Sequence, residues 1–319
     1  MSESDISDRL LEYLRSKNDN QSIQYETYPI RLTGGEITEN HLFQLKQTTK
    51  TTSKPLVLRL YPNHSSKNSA IMDGTVQNYL AENGYPAPHV PFICSDPRPI
   101  GKQFIVMEFI PGETLRKTGK NIMETLVEAQ IKLHQLDPYP LKQQLTTQGV
   151  KETEYTGLRE RGEYIRSKNI DWLNPALRWI DKNKPPSNDV ICHCDIHSNN
   201  ILMDNGRISG VIDWSEFTVD DPWRDFGSTF ILFSVMGPKV FPSRKDHFAQ
   251  LSENYLNLIR EYMDFNERKF GYYQAVRCLW VMVGFLYGVN VVRESGMLGD
   301  VITRFSEITG ITPRPPQNP

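Results

Sequence analysis

Asp195, Asn200 and Asp213 are the residues whose types and spacing point most directly to chemistry. A carboxylate, an amide and a second carboxylate offer the hard oxygen ligands that Mg²⁺ prefers. We expect Asn200 and Asp213 to hold the cation, and Asp195, five residues before Asn200, to face what the cation binds. This set suits phosphoryl transfer, in which Asp195 orients the acceptor hydroxyl and takes its proton.

A predicted β-hairpin is the element that must position two of these residues. Asn205-Gly206 is a strong two-residue turn signal, because both residues readily accept a positive φ. Apolar arms at 201–203 and 208–212 flank the turn, so that folding the hairpin brings together the residues beyond its open end. A short apolar strand is predicted to end at Cys192, ahead of the polar loop that carries Asp195.

This segment resembles the catalytic core of the aminoglycoside phosphotransferase and choline kinase group, which shares the protein-kinase-like fold. That group's pattern is His-Gly-Asp-x-His-x-x-Asn, then a hairpin, then Ile-Asp-Trp. The matching residues here are His193, Cys194, Asp195, His197 and Asn200, followed by Ile212, Asp213 and Trp214. A trailing Asp-Pro-x-x-Asp is also present as Asp221, Pro222 and Asp225, and we interpret its two acids as structural.

The resemblance implies an α+β, two-lobed fold with a small antiparallel-sheet N-lobe and a larger, mainly helical C-lobe. The expected N-lobe, 1–110, begins with an amphipathic helix and binds the nucleotide. The expected C-lobe, 111–319, carries the catalytic loop and the acceptor site. The implied activity is Mg²⁺-dependent transfer of the γ-phosphate of ATP or GTP to a hydroxyl group of a small metabolite or antibiotic.

Arg59 and Asp73 are the expected counterparts of the family's basic and acidic pair at the nucleotide phosphates. Arg59 lies inside the apolar run LVLRLY, where a charge needs a partner. Asp73 lies on a predicted helix, 69–82, closed by Asn83-Gly84. The alternatives are a surface arginine on a strand edge and an ordinary acid near a helix N-terminus.

Two further stretches are expected to contact the nucleotide. Gly34 and Gly35 allow close backbone approach, although most such pairs are only turns. The resemblance places the hinge at QFIVMEFIPGETL, where backbone groups of Glu108 and Ile110 would meet the adenine edge.

A zinc site is one alternative for the catalytic segment, because Cys192, His193, Cys194 and His197 are dense in sulfur and nitrogen. The Cys-x-Cys spacing is tighter than usual, so we favour loop support for the two histidines and a core role for Cys192. Cys194 replaces the family's glycine. A thiol beside the catalytic aspartate gives the hypothesis that the enzyme is sensitive to oxidation.

Two alternatives concern the function as a whole. A nucleotide-binding pseudoenzyme would serve as a sensor or scaffold, but Asp195, Asn200 and Asp213 are intact. A protein kinase is less favoured, because no activation segment ending in Ala-Pro-Glu follows Asp213. The acceptor stays open. An aminoglycoside would require an acidic pocket, and choline an aromatic cage, for which the candidates are Tyr262, Tyr272, Tyr273, Trp280 and Tyr287.

Composition gives the remaining expectations. The 319-residue chain has 23% charged residues and a net charge of -2, which indicates neither a nucleic-acid nor a membrane partner. The N-terminus lacks a signal-peptide pattern, and four cysteines without one argue against a disulfide framework, so we expect a cytoplasmic protein. The longest apolar stretch, from Leu279, predicts a buried helix. The oligomeric state is left open.

Overall fold

The computed structural model describes residues 3–32, 38–46, 54–63 and 65–316. The strands are β1 (Tyr25–Arg31), β2 (Glu39–Leu45), β3 (Leu56–Leu60), β4 (Phe92–Cys94), β5 (Phe104–Glu108), β6 (Glu113–Thr114), β7 (Val190–Cys192), β8 (Ile201–Asp204), β9 (Arg207–Val211) and β10 (Thr218–Asp220). The α-helices are α1 (Glu3–Lys17), α2 (Ser69–Glu82), α3 (Leu115–Thr118), α4 (Ile122–His134), α5 (Pro138–Thr147), α6 (Arg159–Lys168), α7 (Asn174–Asn183), α8 (Trp223–Ile231), α9 (Gly237–Val240), α10 (Lys245–Tyr262), α11 (Glu267–Leu286), α12 (Asn290–Glu294) and α13 (Leu298–Thr309).

The chain divides into two compact units, each built from three segments. The first unit comprises Met1–Glu113, Leu141–Val150 and Leu202–Ser215, and the second comprises Thr114–Pro140, Lys151–Ile201 and Glu216–Pro319. The predicted lobes, 1–110 and 111–319, are continuous segments, and the functions assigned to them stay predictions.

Residues 202–215 belong to the first unit because they form hydrogen bonds with its segment 1–113. Val211 N donates to Pro86 O at 2.6 Å, and Ser209 Oγ donates to Pro111 O at 2.9 Å. The predicted hairpin is present as β8 and β9. Asn205 and Gly206 have φ angles of 48° and 78°, the positive pair that a primed two-residue turn requires.

The first unit contains a five-stranded antiparallel sheet in the order β1-β2-β3-β5-β4. β3 is the central strand, and all five of its residues are buried. Its alternation places Leu56, Leu58 and Leu60 in the core shared with Leu10 and Leu14 of α1. Arg59 therefore lies on the opposite face, beside its partner residue Ile105 on β5, which packs with Ala70 of α2.

In the second unit, β7 pairs antiparallel with β10, and the loop that carries Asp195 begins after the end of β7 at Cys192. α8 and α11 cross at Gly227, where an added Cβ would lie 2.9 Å from Gln274 N. A larger residue would force the helices apart, so this glycine sets the spacing between α8 and α11.

The apolar stretch from Leu279, for which a buried helix is predicted, is divided between two helices. α11 ends at Leu286 and α12 begins at Asn290, because Gly288 adopts a φ of 79° and Val289 N bonds back to Gly284 O at 3.1 Å. Within the described ranges, no helix is both long and apolar enough to cross a membrane.

Candidate active site

Arg59 and Asp73 form the predicted ion pair inside the first unit. Arg59 Nε lies 3.5 Å from Asp73 Oδ2, and the two side chains are only 5% and 2% exposed. Arg59 Nη2 also donates to Asp213 Oδ1 at 2.5 Å. The arginine therefore joins two carboxylates that are far apart in sequence, and the strand-edge alternative for Arg59 is wrong.

The electrostatics of this cluster follow from its burial. Burial alone would lower the pKa of Arg59, but the carboxylates of Asp213 and Asp73 raise it, so the guanidinium stays charged. Burial raises the pKa of Asp73 although Arg59 and the hydroxyl of Tyr61 oppose the shift. Asp73 accepts hydrogen bonds from Tyr61 Oη at 2.5 Å and from Gln77 Nε2 at 2.7 Å, which fix its carboxylate toward β3.

Asp213 lies beyond the end of β9 in a left-handed backbone conformation, with a φ of 69°. Its Oδ1 accepts from Ser215 Oγ at 2.9 Å as well as from Arg59. The side chain is 40% exposed, in contrast to its arginine partner. Asp213 is thus a half-exposed residue whose Oδ1 is anchored by Arg59 and Ser215.

In the predicted hinge, the backbone N–H of Glu108 already donates a hydrogen bond within the protein. Glu108 N donates to His89 O at 2.8 Å, so a contact from Glu108 to a nucleotide base would have to come from its carbonyl. Ile110 packs against Gly210 on β9, where an added Cβ would lie 2.8 Å from Ile110 Cδ1. Gly34 and Gly35 lie outside the described residues.

The loop that follows β7 in the second unit carries Asp195, whose side chain is 26% exposed. Asn200 Nδ2 donates to the Asp195 carbonyl oxygen at 3.0 Å, and Asn200 N donates to His197 O at 2.9 Å. The amide nitrogen is therefore used inside the loop, and Oδ1 is the atom that Asn200 can offer to a cation.

Asp225 on α8 anchors the start of this loop. Its carboxylate is fully buried and accepts from Cys194 N at 2.6 Å, from His193 N at 3.1 Å and from His134 Nε2 at 2.9 Å. Burial alone would raise the pKa of Asp225, but these hydrogen bonds hold it below its usual value. The structure supports the structural interpretation of Asp225, which fixes the loop through the backbone amides of His193 and Cys194 and also bonds His134.

Arg277 on α11 binds the Asp195 carboxylate itself. Its Nη2 donates to Asp195 Oδ1 at 2.9 Å, and its Nη1 donates to Glu216 Oε2 at 2.8 Å and to Cys194 O at 3.3 Å. Burial alone would lower the pKa of Arg277, but Glu216 and Asp195 raise it, which keeps the side chain cationic. The sequence-based reasoning missed both Arg277 and Glu216.

The residues predicted to bind Mg²⁺ fit that cation by their donor chemistry. Asn200 offers an amide oxygen whose nitrogen partner is already bonded, and Asp213 offers a half-exposed carboxylate. Amide and carboxylate oxygens are the ligands that a magnesium site uses together with water and phosphate.

The sequence pattern of the phosphotransferase enzyme family (APH) matches residues 34–255, more than half of the chain. The chain belongs to this family.

Known phosphotransferases share its fold across almost the whole chain. A thermostable mutant of aminoglycoside phosphotransferase APH(4)-Ia, solved with AMP-PNP and hygromycin B, has a TM-score of 0.62 at 15% identity, covering 94% of this chain and 97% of that one. This likeness confirms the predicted protein-kinase-like, α+β fold class.

Sequence relatives match shorter segments. Acyl-CoA dehydrogenase family member 11 of Gallus gallus is 25% identical over 164 residues, which is 47% of this chain and 21% of that protein. Hygromycin-B 4-O-kinase of Escherichia coli is 38% identical over 58 residues, 18% of this chain and 16% of that protein. The matches thus span about a fifth or less of these relatives' length.

Cys194 occupies the glycine position of the phosphotransferase motif, and its backbone explains the family's preference. Its φ is 66°, a left-handed conformation that glycine adopts without strain. Its thiol is buried, and burial raises the pKa of Cys194 to about 12. Because thiolate is the reactive form, this environment opposes the hypothesis that the enzyme is sensitive to oxidation at Cys194.

The zinc alternative is also not supported. Among the described residues, the His, Cys and acidic side chains close enough to share a metal are His134, Cys192 and Asp225, within 4.8 Å of one another, which is not the predicted cluster. Both Asp225 oxygens already accept hydrogen bonds, and burial raises the pKa of Cys192 well above its usual value. His193 Nδ1 accepts from Asp195 N at 3.3 Å, in line with the predicted loop support.

Proposed function

We propose that the protein transfers the terminal phosphoryl group of ATP or GTP to a hydroxyl group of a small molecule. The observation that carries the proposal is a partly exposed carboxylate, Asp195, on a loop fixed by buried Asp225. Catalysis of phosphoryl transfer depends on positioning and electrostatic stabilisation more than on covalent chemistry, and a fixed loop supplies the positioning.

Five of the predicted residues have roles in this reaction. Asp195 orients the acceptor hydroxyl and takes its proton as the new bond to phosphorus forms. Arg59, oriented by Asp73, contributes positive charge to the nucleotide phosphates. Asn200 and Asp213 would hold Mg²⁺, which when bound offsets the negative charge of the transferred group.

The chain between Asp213 and α8 supports a small acceptor over a protein. Only the turn at Trp214–Glu216 and β10 separate Asp213 from Trp223, the first residue of α8. A protein kinase would carry a long activation segment at this place.

The side chains around Asp195 do not favour a polycation. Glu216 is an acid that shares Arg277 with Asp195, and Arg277 and Arg161 both pair with it, at 2.8 Å and 3.1 Å. Trp280 Nε1 also donates to this acid. Of the tyrosines considered for an aromatic cage, Tyr272 and Tyr273 are buried with hydrogen-bonded hydroxyls, and Tyr262 and Tyr287 are exposed, which does not suit a cage for a quaternary amine. We propose an acceptor that carries no large positive charge.

Turnover assays test the proposal. Purified protein is incubated with ATP or GTP, with and without Mg²⁺, against a library of hydroxylated metabolites, and phosphorylated products are identified by mass spectrometry. We expect product with Mg²⁺, and Asp195→Ala should lower kcat by about 10²–10⁴. Nucleotide binding without product across the library would instead indicate a pseudoenzyme.

A further inference from the structure

Arg277 is held in one position by a chain of hydrogen bonds through Glu216. The Glu216 carboxylate accepts from Arg277 Nη1 at 2.8 Å, from Trp280 Nε1 at 3.0 Å and from Arg161 Nη2 at 3.1 Å. Arg161 in turn lies 4.0 Å from the centroid of the Trp280 ring and donates to the Trp280 carbonyl at 2.8 Å. With three donors on two oxygens, Glu216 cannot rotate without losing hydrogen bonds.

The planar fork of Arg277 therefore bridges two acids with different roles. One of its terminal nitrogens is bound to the fixed Glu216, and the other donates to Asp195 Oδ1 at 2.9 Å. Arginine presents its donors in a rigid plane, so fixing one nitrogen fixes the direction of the other. The side chain is only 7% exposed, which keeps water from competing strongly for these bonds.

We propose that Arg277 is a positioning residue that fixes the Asp195 carboxylate and assigns separate roles to its two oxygens. Oδ1 is held by Arg277, and Oδ2 lies 3.7 Å from His197 Nε2, beyond hydrogen-bond distance. Oδ2 is then the oxygen that faces the acceptor hydroxyl. This inference rests on the proposed function and adds to it an orientation mechanism that comes from α11, a helix outside the catalytic motif.

The transfer step balances with this assignment. The acceptor oxygen forms a bond to the terminal phosphorus while the bond from that phosphorus to the bridging oxygen of the nucleoside diphosphate breaks. The acceptor proton moves to Asp195 Oδ2, and the electron pair of the broken bond stays on the diphosphate. Arg277 exchanges no proton and acts only through the geometry of Asp195.

Steady-state kinetics of Arg277→Met and Arg277→Lys test the proposal. A misplacement of about 1 Å can cost about 100-fold in rate, so we expect Arg277→Met to lower kcat by about 100-fold and to leave the nucleotide KM within about twofold. Arg277→Lys keeps the charge but cannot bridge both acids, so it should restore only part of the loss.

Glu216→Gln is the second variant, because it keeps the shape of the side chain and removes the charge that holds Arg277. It should lower kcat by about tenfold alone and have little further effect in the Arg277→Met background, since both act through one contact. Lys269→Met is the matched control. Lys269 lies on the same helix and pairs with buried Asp221 at 2.6 Å, so its loss should lower Tm but leave kcat unchanged.

The outcomes separate the two proposals. If the wild-type protein shows no Mg²⁺-dependent turnover, the proposed function fails. If it turns over and Arg277→Met keeps kcat within about threefold, or lowers it no more than Lys269→Met does, Arg277 does not position Asp195. Should Arg277→Met not fold, Glu216→Gln decides the question, and an unchanged kcat in that variant overturns the proposal.

Discussion

Asp225→Asn would test how strongly one buried carboxylate holds the loop that carries Asp195. The carboxylate accepts from three donors, His193 N, Cys194 N and His134 Nε2, at 3.1, 2.6 and 2.9 Å. Asparagine has one oxygen, which can accept two hydrogen bonds, and its NH₂ group would face the third donor. The variant keeps the volume of the side chain, so the loss comes from hydrogen bonding and charge alone.

The loss in the free energy of unfolding of Asp225→Asn can be worked out from those three hydrogen bonds. An unsatisfied buried donor costs about 1–3 kcal/mol, and each of the two remaining hydrogen bonds loses about 1 kcal/mol when its acceptor is no longer charged. The expected loss in the free energy of unfolding is about 3–5 kcal/mol, within the range for breaking a buried pair. For a chain of 319 residues this corresponds to a decrease in Tm of about 5–7 °C.

The sign of the pH dependence gives a second readout. The pKa of Asp225 is lower in the folded protein than its usual value. Its stabilisation is therefore fully present above the unfolded pKa of about 4 and is lost as the pH falls through the folded pKa. Urea unfolding of wild type and Asp225→Asn across this range should show a difference that is constant near neutral pH and shrinks in acid.

Asp220→Asn is the matched control, because Asp220 is also buried and accepts from Tyr273 Oη at 2.6 Å and from Asp221 N at 2.9 Å. It touches none of the loop amides that Asp225 binds, so it should lower stability while leaving kcat intact. A loss of less than about 1 kcal/mol in Asp225→Asn, or a difference that does not change with pH, would refute the anchoring role.

Three shorter predictions concern other parts of the molecule. Arg59→Met leaves buried Asp73 without its cation and should cost about 3–5 kcal/mol in urea unfolding. Cys194 should resist alkylation by iodoacetamide in the native protein, as followed by mass spectrometry, because burial raises its pKa to about 12. Gly227→Ala should cost about 1–3 kcal/mol, because its Cβ would lie 2.9 Å from Gln274 N.

Each of these has a contradicting result. Full stability of Arg59→Met would mean that Asp73 does not depend on the ion pair. Rapid labelling of Cys194, compared with the same thiol in urea, would show that the loop opens in the native state. An unchanged Tm in Gly227→Ala would mean that α8 and α11 separate without cost.

The sequence was sufficient where local signals agreed. The hairpin followed from Asn205-Gly206, and the need of Arg59 for a partner followed from a charge inside an apolar strand, whereas its pairing with Asp73 was implied by the family resemblance. The break in α11 at Gly288 was missed, because an isolated glycine in an apolar run does not reveal its φ.

Arg277 was missed for a different reason. It lies within AVRCLWVMVG, an apolar run in which a charge needs a partner, which is the same signal that identified Arg59. Its partner, Asp195, lies 82 positions earlier in the chain, and only the packing of α11 in the second unit brings the two together. The burial of a charge at Arg277 was predictable from the sequence, but its pairing with Asp195 was not.

The segment Leu202–Ser215 has a practical consequence for dissecting this enzyme. The backbone passes from one compact unit to the other after Glu113, Pro140, Val150, Ile201 and Ser215, so no single cut separates the two. A fragment that stops at Glu113 would lack Asp213, the acid bound to Arg59, and would expose the surfaces of Pro86 and Pro111 that the hairpin covers. Expression of either unit alone therefore calls for circular permutation or grafted loops instead of simple truncation.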